Sequence, residues 1–237
     1  MSHLLEIDSV QKTFGHNQVL TDVYLQCKTG DIVGLLGRNG SGKSTFLKIL
    51  FGTVTADQKF IRIDGQTYER PYQTVGEICY LPQDSFLPQE MRLESVVKLF
   101  LPASQAALFF DDPLLSNLHV SLVSRLSGGE LRYIEIKLLL NSDAKFILLD
   151  EPFNGIAPVL IETVKKMIRQ HAPDKGIILT DHDYRNVFDI ANRYYLFADG
   201  GLKPICDKED LIIRGYLSPA SAELLKFETN NSQQTIK

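Results

Sequence analysis

The chain has 237 residues, a length at which one large domain, or one domain with a subdomain, is expected. Hydrophobic residues make up 44% of the chain and charged residues 23%, which excludes a globally disordered protein because there is enough apolar material for a sizeable core. The net charge of −4 provides no excess of positive charge that would attract a polyanion, so nucleic acid is not expected as a partner.

The three cysteines, Cys27, Cys79 and Cys206, lie far apart and form no CxxC pair. This pattern argues against a disulfide framework or a zinc site and favours the reducing cytosol. Residues 1–10 lack a basic region followed by an apolar one, so no secretory signal is predicted. No run of about 20 apolar residues occurs either, so the chain is not expected to cross a bilayer by itself.

Short apolar runs alternate with longer amphipathic stretches, a pattern typical of strands that lead into helices in an α/β domain. The predicted strands, in chain order, are residues 32–36, 59–63, 78–81, 146–149 and 177–180. In all but the second, apolar residues follow one another without alternation, which indicates strands buried on both faces of a central parallel sheet. The second places Phe60 and Ile61 on opposite faces and predicts an antiparallel flank.

The segment after strand 78–81 is punctuated by prolines and contains helix-like pieces such as residues 92–101. It predicts a helical subdomain at about residues 84–139, inserted in the core of a single domain. The apolar pairs at 99–100 and 109–110 are expected to be core residues rather than a docking groove. A short helix is predicted at 219–227, and a disordered polar tail at 230–237.

The strongest motif, GxxxxGK[ST], comes directly after strand 32–36 and before an apolar helix at 46–50. Glycines let the backbone curl around a phosphate chain, so that its N–H groups and the helix N-terminus face the negative oxygens. Lys43 is expected to contact the β- and γ-phosphates, and Ser44 to place its hydroxyl on Mg²⁺. The predicted ATP-binding residues of this loop are Gly37, Arg38, Asn39, Gly40, Ser41, Gly42, Lys43, Ser44 and Thr45.

A second motif lies where strand 146–149 runs into two adjacent carboxylates, Asp150 and Glu151. A buried strand that ends in acids needs a compensating partner because an unpaired buried charge is costly. Mg²⁺ is such a partner for Asp150. Glu151 is expected to activate water as a general base. The alternative is a strand that runs into a solvated turn.

The sequence LSGGE at residues 126–130 lies between these two motifs. Together the three motifs resemble the ATPase cassettes of the ABC family, and the resemblance covers nearly the whole chain. It implies a P-loop NTPase fold, with a RecA-like mixed sheet core, an antiparallel β flank and a helical subdomain. It also implies a dimer, in which Ser127, Gly128 and Gly129 of one copy close over the ATP bound to the other.

The resemblance assigns three further positions. Phe14 resembles the aromatic residue that stacks on adenine, with a core phenylalanine near a turn as the alternative. Gln83 resembles the glutamine that reaches Mg²⁺ or the attacking water and links the site to the helical subdomain. His182 matches the histidine that contacts the γ-phosphate and holds Glu151 in place, although a lone histidine after a strand is more often structural.

Within the family, residues 131–136 and 180–185 are similar to the ATPases of lipopolysaccharide export and branched-chain amino-acid uptake. The segment after Glu151 departs from the family pattern, because Asn154 stands at a serine position and Ala157 at an aspartate position. Alanine cannot accept the hydrogen bonds that the aspartate makes across the dimer, so cross-talk between the two sites is expected to be altered.

The resemblance implies an ATP-hydrolysing transporter subunit that uses Mg²⁺ and works with integral membrane subunits. It would lie on the cytoplasmic face of the inner membrane. The main alternative is a soluble ABC-type nucleotide switch that regulates a non-transport assembly. A P-loop kinase is disfavoured by the LSGGE sequence. The cargo and the direction of transport are not encoded in these motifs.

Overall fold

In the computed structural model, residues 2–223 are described, and they form two β-sheets with helices packed around them. The predicted tail at 230–237 and the last four residues of the helix predicted at 219–227 lie outside this range. The strands are β1 (Leu4–Phe14), β2 (Asn17–Lys28), β3 (Ile32–Leu36), β4 (Gln58–Ile63), β5 (Gln66–Thr67), β6 (Ile78–Leu81), β7 (Phe146–Asp150), β8 (Gly176–Thr180), β9 (Arg193–Ala198) and β10 (Gly201–Ile205). The α-helices are α1 (Lys43–Phe51), α2 (Leu93–Phe100), α3 (Ala103–Phe109), α4 (Gly128–Asn141), α5 (Pro158–His171), α6 (Tyr184–Ile190), α7 (Lys208–Ile213) and α8 (Pro219–Glu223).

The larger sheet has the strand order β10-β9-β3-β8-β7-β6, and all its neighbouring pairs are parallel except β10 with β9. Every residue of β3, β7 and β8 is buried, as the uninterrupted apolar runs predict. Because parallel strands end at the same edge of a sheet, the loops after β3, β6, β7 and β8 meet on one side of the molecule. The predicted P-loop NTPase core is confirmed.

The smaller sheet is antiparallel, with the order β2-β1-β4-β5. On β4, Phe60 is half exposed whereas Ile61 is buried, so the predicted alternation of faces is confirmed. Helix α1 lies between the two sheets, where its Phe46 and Leu47 belong to one apolar core with residues of both sheets. This packing fixes the helix that begins at Lys43 against the central sheet.

Helices α2, α3 and α4 lie between β6 and β7 in the chain, and all but the last two residues of α4 fall within the predicted helical subdomain. Phe109 is buried, as expected, but Leu99 is 68% exposed and Phe100 is 37% exposed, so the prediction of a core position for this pair is wrong. Leu93, Val96 and Val97 form the buried stripe of α2, and Leu99 lies off that stripe. The limits of the subdomain at 84 and 139 stay a prediction.

Among residues 2–223, no helix combines the length and the apolar character needed to span a bilayer.

Asp64, in the turn between β4 and β5, connects the smaller sheet to the start of β7. Its carboxylate accepts hydrogen bonds from the Leu4 N–H, His3 and Lys145 at 2.8–3.1 Å. Burial alone raises the pKa of this carboxyl, but the three hydrogen bonds outweigh burial and lower the pKa to about 2. The group therefore stabilises the fold above its unfolded pKa of about 3.9, and this contribution is lost as the pH falls towards 2.

Replacing Asp64 by asparagine is expected to lower the free energy of unfolding by about 1 kcal/mol at pH 7, after a discount for solvent screening of this partly exposed group. The difference between wild type and variant should shrink between about pH 4 and pH 2. Urea unfolding at a series of pH values measures it. A difference that is constant over this range contradicts the prediction.

Candidate active site

The loops at the carboxyl edge of the larger sheet enclose an open cleft of about 640 Å³. It is lined by Phe14, Val19, Asn39, Gly40, Ser41, Gly42, Lys43, Ser44, Thr45, Gln83, Glu151, Asn154 and His182. Eleven of these thirteen residues are ones that the sequence predicts for the site. Four parts of the chain that follow or end strands of the larger sheet therefore meet Phe14 and Val19 of the smaller sheet at this cleft.

The loop between β3 and α1 wraps around the Lys43 side chain. Lys43 Nζ donates hydrogen bonds to the carbonyl oxygens of Gly37, at 2.7 Å, and Arg38, at 3.1 Å. Gly42 has φ of +103°, a backbone conformation that glycine adopts at least cost. Burial lowers the pKa of Lys43, while the carboxylates of Glu151 and Asp150 favour the charged form. The loop thus places a cation beside two acids at the start of a helix.

Asp150, at the end of β7, is fully buried and accepts three hydrogen bonds. Its Oδ1 accepts from the hydroxyl groups of Ser44, at 3.0 Å, and Thr180, at 2.9 Å. Its Oδ2 accepts from the Tyr80 hydroxyl at 3.0 Å. Gln83 Nε2 donates to Ser44 Oγ at 3.2 Å, so the three residues predicted to bind Mg²⁺ form one connected group of polar atoms.

Glu151 lines the cleft and has a left-handed backbone conformation, with φ of 51°, which is strained for a residue other than glycine. Its N–H donates to the Thr180 carbonyl oxygen at 3.1 Å. His182, after β8, lines the same cleft, and its Nδ1 lies 3.5 Å from Oδ1 of Asp181. Asp181 is fully buried, and burial raises the pKa of its carboxyl.

Phe14, at the end of β1, is 50% exposed and lines the cleft. The ammonium group of Lys12 lies 4.8 Å from the centre of its ring. The alternative of a core phenylalanine is therefore wrong. An exposed aromatic ring at the cleft offers a flat apolar surface to a planar ligand.

The predicted signature residues Ser127, Gly128 and Gly129 lie at the N-terminus of α4 and do not line the cleft. Ser127 is exposed and forms a capping box with Glu130, in which each residue's side chain accepts from the other's N–H. A Cβ atom on Gly129 would lie only 3.2 Å from the Gly155 carbonyl oxygen, so this glycine allows the loop after β7 to pack closely on α4. The described chain does not bring its signature to its own phosphate loop.

Sequence reasoning missed several residues that the structure places at the site. Tyr80 and Thr180 hold Asp150, and Val19 lines the cleft. Tyr80 and Val19 sit inside strands, where no motif marks them. Thr180 precedes a predicted histidine, but its contact with Asp150 depends on the pairing of β7 with β8, which places the two residues side by side.

Comparison with known proteins gives a consistent result. The family model described as ABC transporter matches residues 20–154. The lipopolysaccharide export system ATP-binding protein LptB of Acidithiobacillus ferridurans is 36% identical, with 84% of this chain and 88% of that protein covered. LptB of Escherichia coli K12 is 33% identical with the same coverage.

Solved structures agree on the fold. A structure described as the ATP-binding subunit of an ABC transporter superposes with a TM-score of 0.81 at 21% identity, covering 93% of this chain and 98% of that one. A nucleotide-free ATP-binding cassette of an ABC transporter gives a TM-score of 0.72, also at 21% identity, with 94% and 98% covered. The matches support a transporter subunit rather than a soluble switch. The chain belongs to the ABC transporter family, as one of its ATPase cassettes in the lineage of LptB.

Proposed function

We propose that this ATPase hydrolyses Mg²⁺-ATP at sites formed between two copies of the chain and drives separate membrane subunits from the cytoplasmic face of the membrane. The observation that carries the proposal is the division of the site residues. Lys43, Ser44, Gln83, Glu151 and His182 line one cleft, whereas Ser127 is exposed outside it. A second copy can supply the missing Ser127.

The polar group around Asp150 fits Mg²⁺. A carboxylate, a hydroxyl and a side-chain amide offer the oxygen ligands that this ion prefers, and the ion completes its shell with water and phosphate oxygens. Among residues 2–223 no cluster of three or more histidine, cysteine or acidic side chains competes with this set. Ser44, Gln83 and Asp150 would hold the ion, which when bound neutralises charge on the triphosphate.

The remaining residues position the substrate and the water. Lys43, whose Nζ lies among the carbonyl oxygens of the loop, contacts the β- and γ-phosphates. Glu151 orients the attacking water and accepts its proton, Gln83 contacts the same water, and His182 donates a hydrogen bond to the γ-phosphate. Most of the rate enhancement comes from position and fixed charge rather than from a covalent intermediate.

Membrane association is tested by isolating the tagged chain from native membranes in mild detergent. Co-purification with integral membrane proteins, identified by mass spectrometry, is the expected result. Recovery with ribosomes or DNA and without membrane proteins would support the nucleotide-switch alternative instead.

Replacing Phe14 by alanine is expected to weaken ATP binding about 5- to 30-fold, because stacking of an aromatic ring on a base contributes about 1–2 kcal/mol. Binding of inorganic tripolyphosphate, which has no base, should change less than twofold. Titration calorimetry measures both affinities. Phe60→Ala is the matched control, since Phe60 is equally exposed, lies on β4 and does not line the cleft. Equal loss of ATP affinity in both variants contradicts the role of Phe14.

A further inference from the structure

Helix α4 carries a buried ion pair that the mechanism above does not use. Arg132 and Glu135 are 6% and 1% exposed, and Arg132 Nη1 lies 3.6 Å from Glu135 Oε2. A buried charge is costly unless its hydrogen-bonding groups find partners. The partners of this pair are therefore informative about its role.

Arg132 connects two loops of the cleft through their backbone oxygens. Its Nη2 donates to the carbonyl oxygens of Asp150, at 2.7 Å, and Glu151, at 3.0 Å. Its Nη1 donates to the Pro82 carbonyl oxygen, next to Gln83. One guanidinium group thus binds the segment that carries both acids and the segment that carries the glutamine.

Glu135 holds the far side of the glutamine loop. Its Oε1 accepts a hydrogen bond from the Phe86 N–H at 3.1 Å. The loop from 82 to 86 is therefore held at both ends by two side chains one turn apart on α4. Helix α4 begins at the signature. The position of the loop from 82 to 86 is therefore set by the same helix that offers Ser127 to a second copy.

We propose that the Arg132–Glu135 pair is a positioning clamp, which fixes Gln83 relative to Glu151 and links both to the signature helix. The inference rests on the proposed function, because it assigns these roles to Gln83 and Glu151. Arg132 and Glu135 do not line the cleft and act only through the backbone of the residues that do.

The backbone of Glu151 shows why such a clamp is needed. Its φ of 51° is sparsely populated, so it persists only where surrounding contacts hold both sides of the residue. Thr180 holds the N–H of Glu151, and Arg132 holds its carbonyl oxygen. A planar guanidinium binds several carbonyl oxygens at once in a fixed geometry, which a lysine ammonium does not reproduce.

The clamp also offers a path between the two sites of a dimer. In the family pattern an aspartate at position 157 makes contacts across the dimer, and this chain has alanine there. Arg132 joins α4, which begins at the signature, to the backbone of Glu151 in the same chain. The path needs no side chain at position 157.

Two variants separate positioning from stability. Arg132→Lys keeps the charge but loses the planar guanidinium that binds several carbonyl oxygens at once. It should lower kcat about 10- to 100-fold, because small displacements of catalytic groups have effects of this size. The double variant Arg132→Met with Glu135→Leu replaces both charges by apolar side chains of similar size, which proteins often tolerate without loss of stability. It should retain the thermal midpoint of Arg132→Lys or exceed it, yet keep the same loss of kcat.

In both variants KM for ATP should stay within threefold of wild type, because the phosphate loop is untouched. A second readout requires no turnover: hydrogen exchange of the nucleotide-free protein should become at least tenfold faster at the Phe86 amide in the double variant, with β3 unchanged. Arg193→Lys is the control. Arg193 is partly buried and, like Arg132, binds a carbonyl oxygen, that of Gln26, and an acidic side chain, Asp31, but it lies at the opposite edge of the sheet.

Wild-type kcat in the double variant, or equal losses in Arg132→Lys and Arg193→Lys, overturns the clamp. The clamp is also overturned if the loss of kcat in Arg132→Lys disappears once the thermal stability of the protein is restored. Failure of the proposed roles of the cleft residues has a different result, because Glu151→Gln would then keep the kcat of wild type. The two failures are therefore distinguishable in one series of assays.

Discussion

Replacement of Glu151 by glutamine is expected to lower kcat for ATP hydrolysis about 10²- to 10⁴-fold, the usual contribution of a general base. Glutamine keeps the size of the side chain but cannot accept a proton from water. ATP binding should survive, because Lys43 and the phosphate loop are unchanged and one negative charge is removed from the cleft. ATP that is bound but not cleaved should then hold two copies together.

Two measurements test this expectation. A phosphate-release assay gives kcat, and size-exclusion chromatography with light scattering gives the mass with and without ATP. The variant should run as a dimer of the 26.7 kDa chain when saturated with Mg²⁺-ATP and as a monomer without nucleotide. The control is Glu69→Gln, since Glu69 is 84% exposed and does not line the cleft. A variant of Glu151 with unchanged kcat refutes the assignment of the base, and one that stays monomeric at saturating ATP refutes the shared site.

Continuous apolar runs made the central sheet predictable. Strand β3 has the predicted bounds, and β7 and β8 each extend the prediction by one residue. Strands buried on both faces leave a strong signal because every position is apolar. The edge strand β10 contains Pro204 and Lys203 in five residues, so its sequence carries little of this signal.

The parts of the site that sequence could predict are those that have local motifs. Asp150 ends a strand of the parallel sheet, and Lys43 and His182 each follow one, so their meeting at one edge follows from the topology. The supporting contacts could not be predicted in this way. Tyr80 reaches Asp150 from the neighbouring strand, and Arg132 reaches it from a helix 18 residues earlier in the chain, so both contacts depend on tertiary packing.

The same limit explains the error at Leu99. An apolar pair in a helical segment predicts burial, but burial depends on which side of α2 faces its neighbours. Leu93, Val96 and Val97 occupy that side, and Leu99 projects from another. Composition predicts that a helix has an apolar face, and the spacing of its apolar residues decides which of them belong to it.

Glu151→Gln is expected to lower kcat and to preserve ATP binding. Replacement of Lys43 by methionine should have the opposite pattern, with the loss in ATP binding. An ammonium that donates one charge-assisted hydrogen bond to each of two phosphates contributes about 1.5 kcal/mol per bond, so ATP affinity should fall about 100-fold. Methionine fills a similar volume. Removal of the buried charge also removes the desolvation cost that lowers the pKa of Lys43, so the thermal midpoint of the nucleotide-free protein should change little.

Titration calorimetry with ATP and with AMP measures the effect. AMP lacks the β- and γ-phosphates, so its affinity should be almost unchanged in Lys43→Met. The matched control is Lys48→Met, because Lys48 lies on the same helix, is exposed and does not line the cleft. Equal losses for ATP and AMP would mean that Lys43 supports the shape of the loop, through its bonds to Gly37 and Arg38, rather than the phosphates themselves. A loss confined to ATP locates its charge at the outer phosphates, where the reaction takes place.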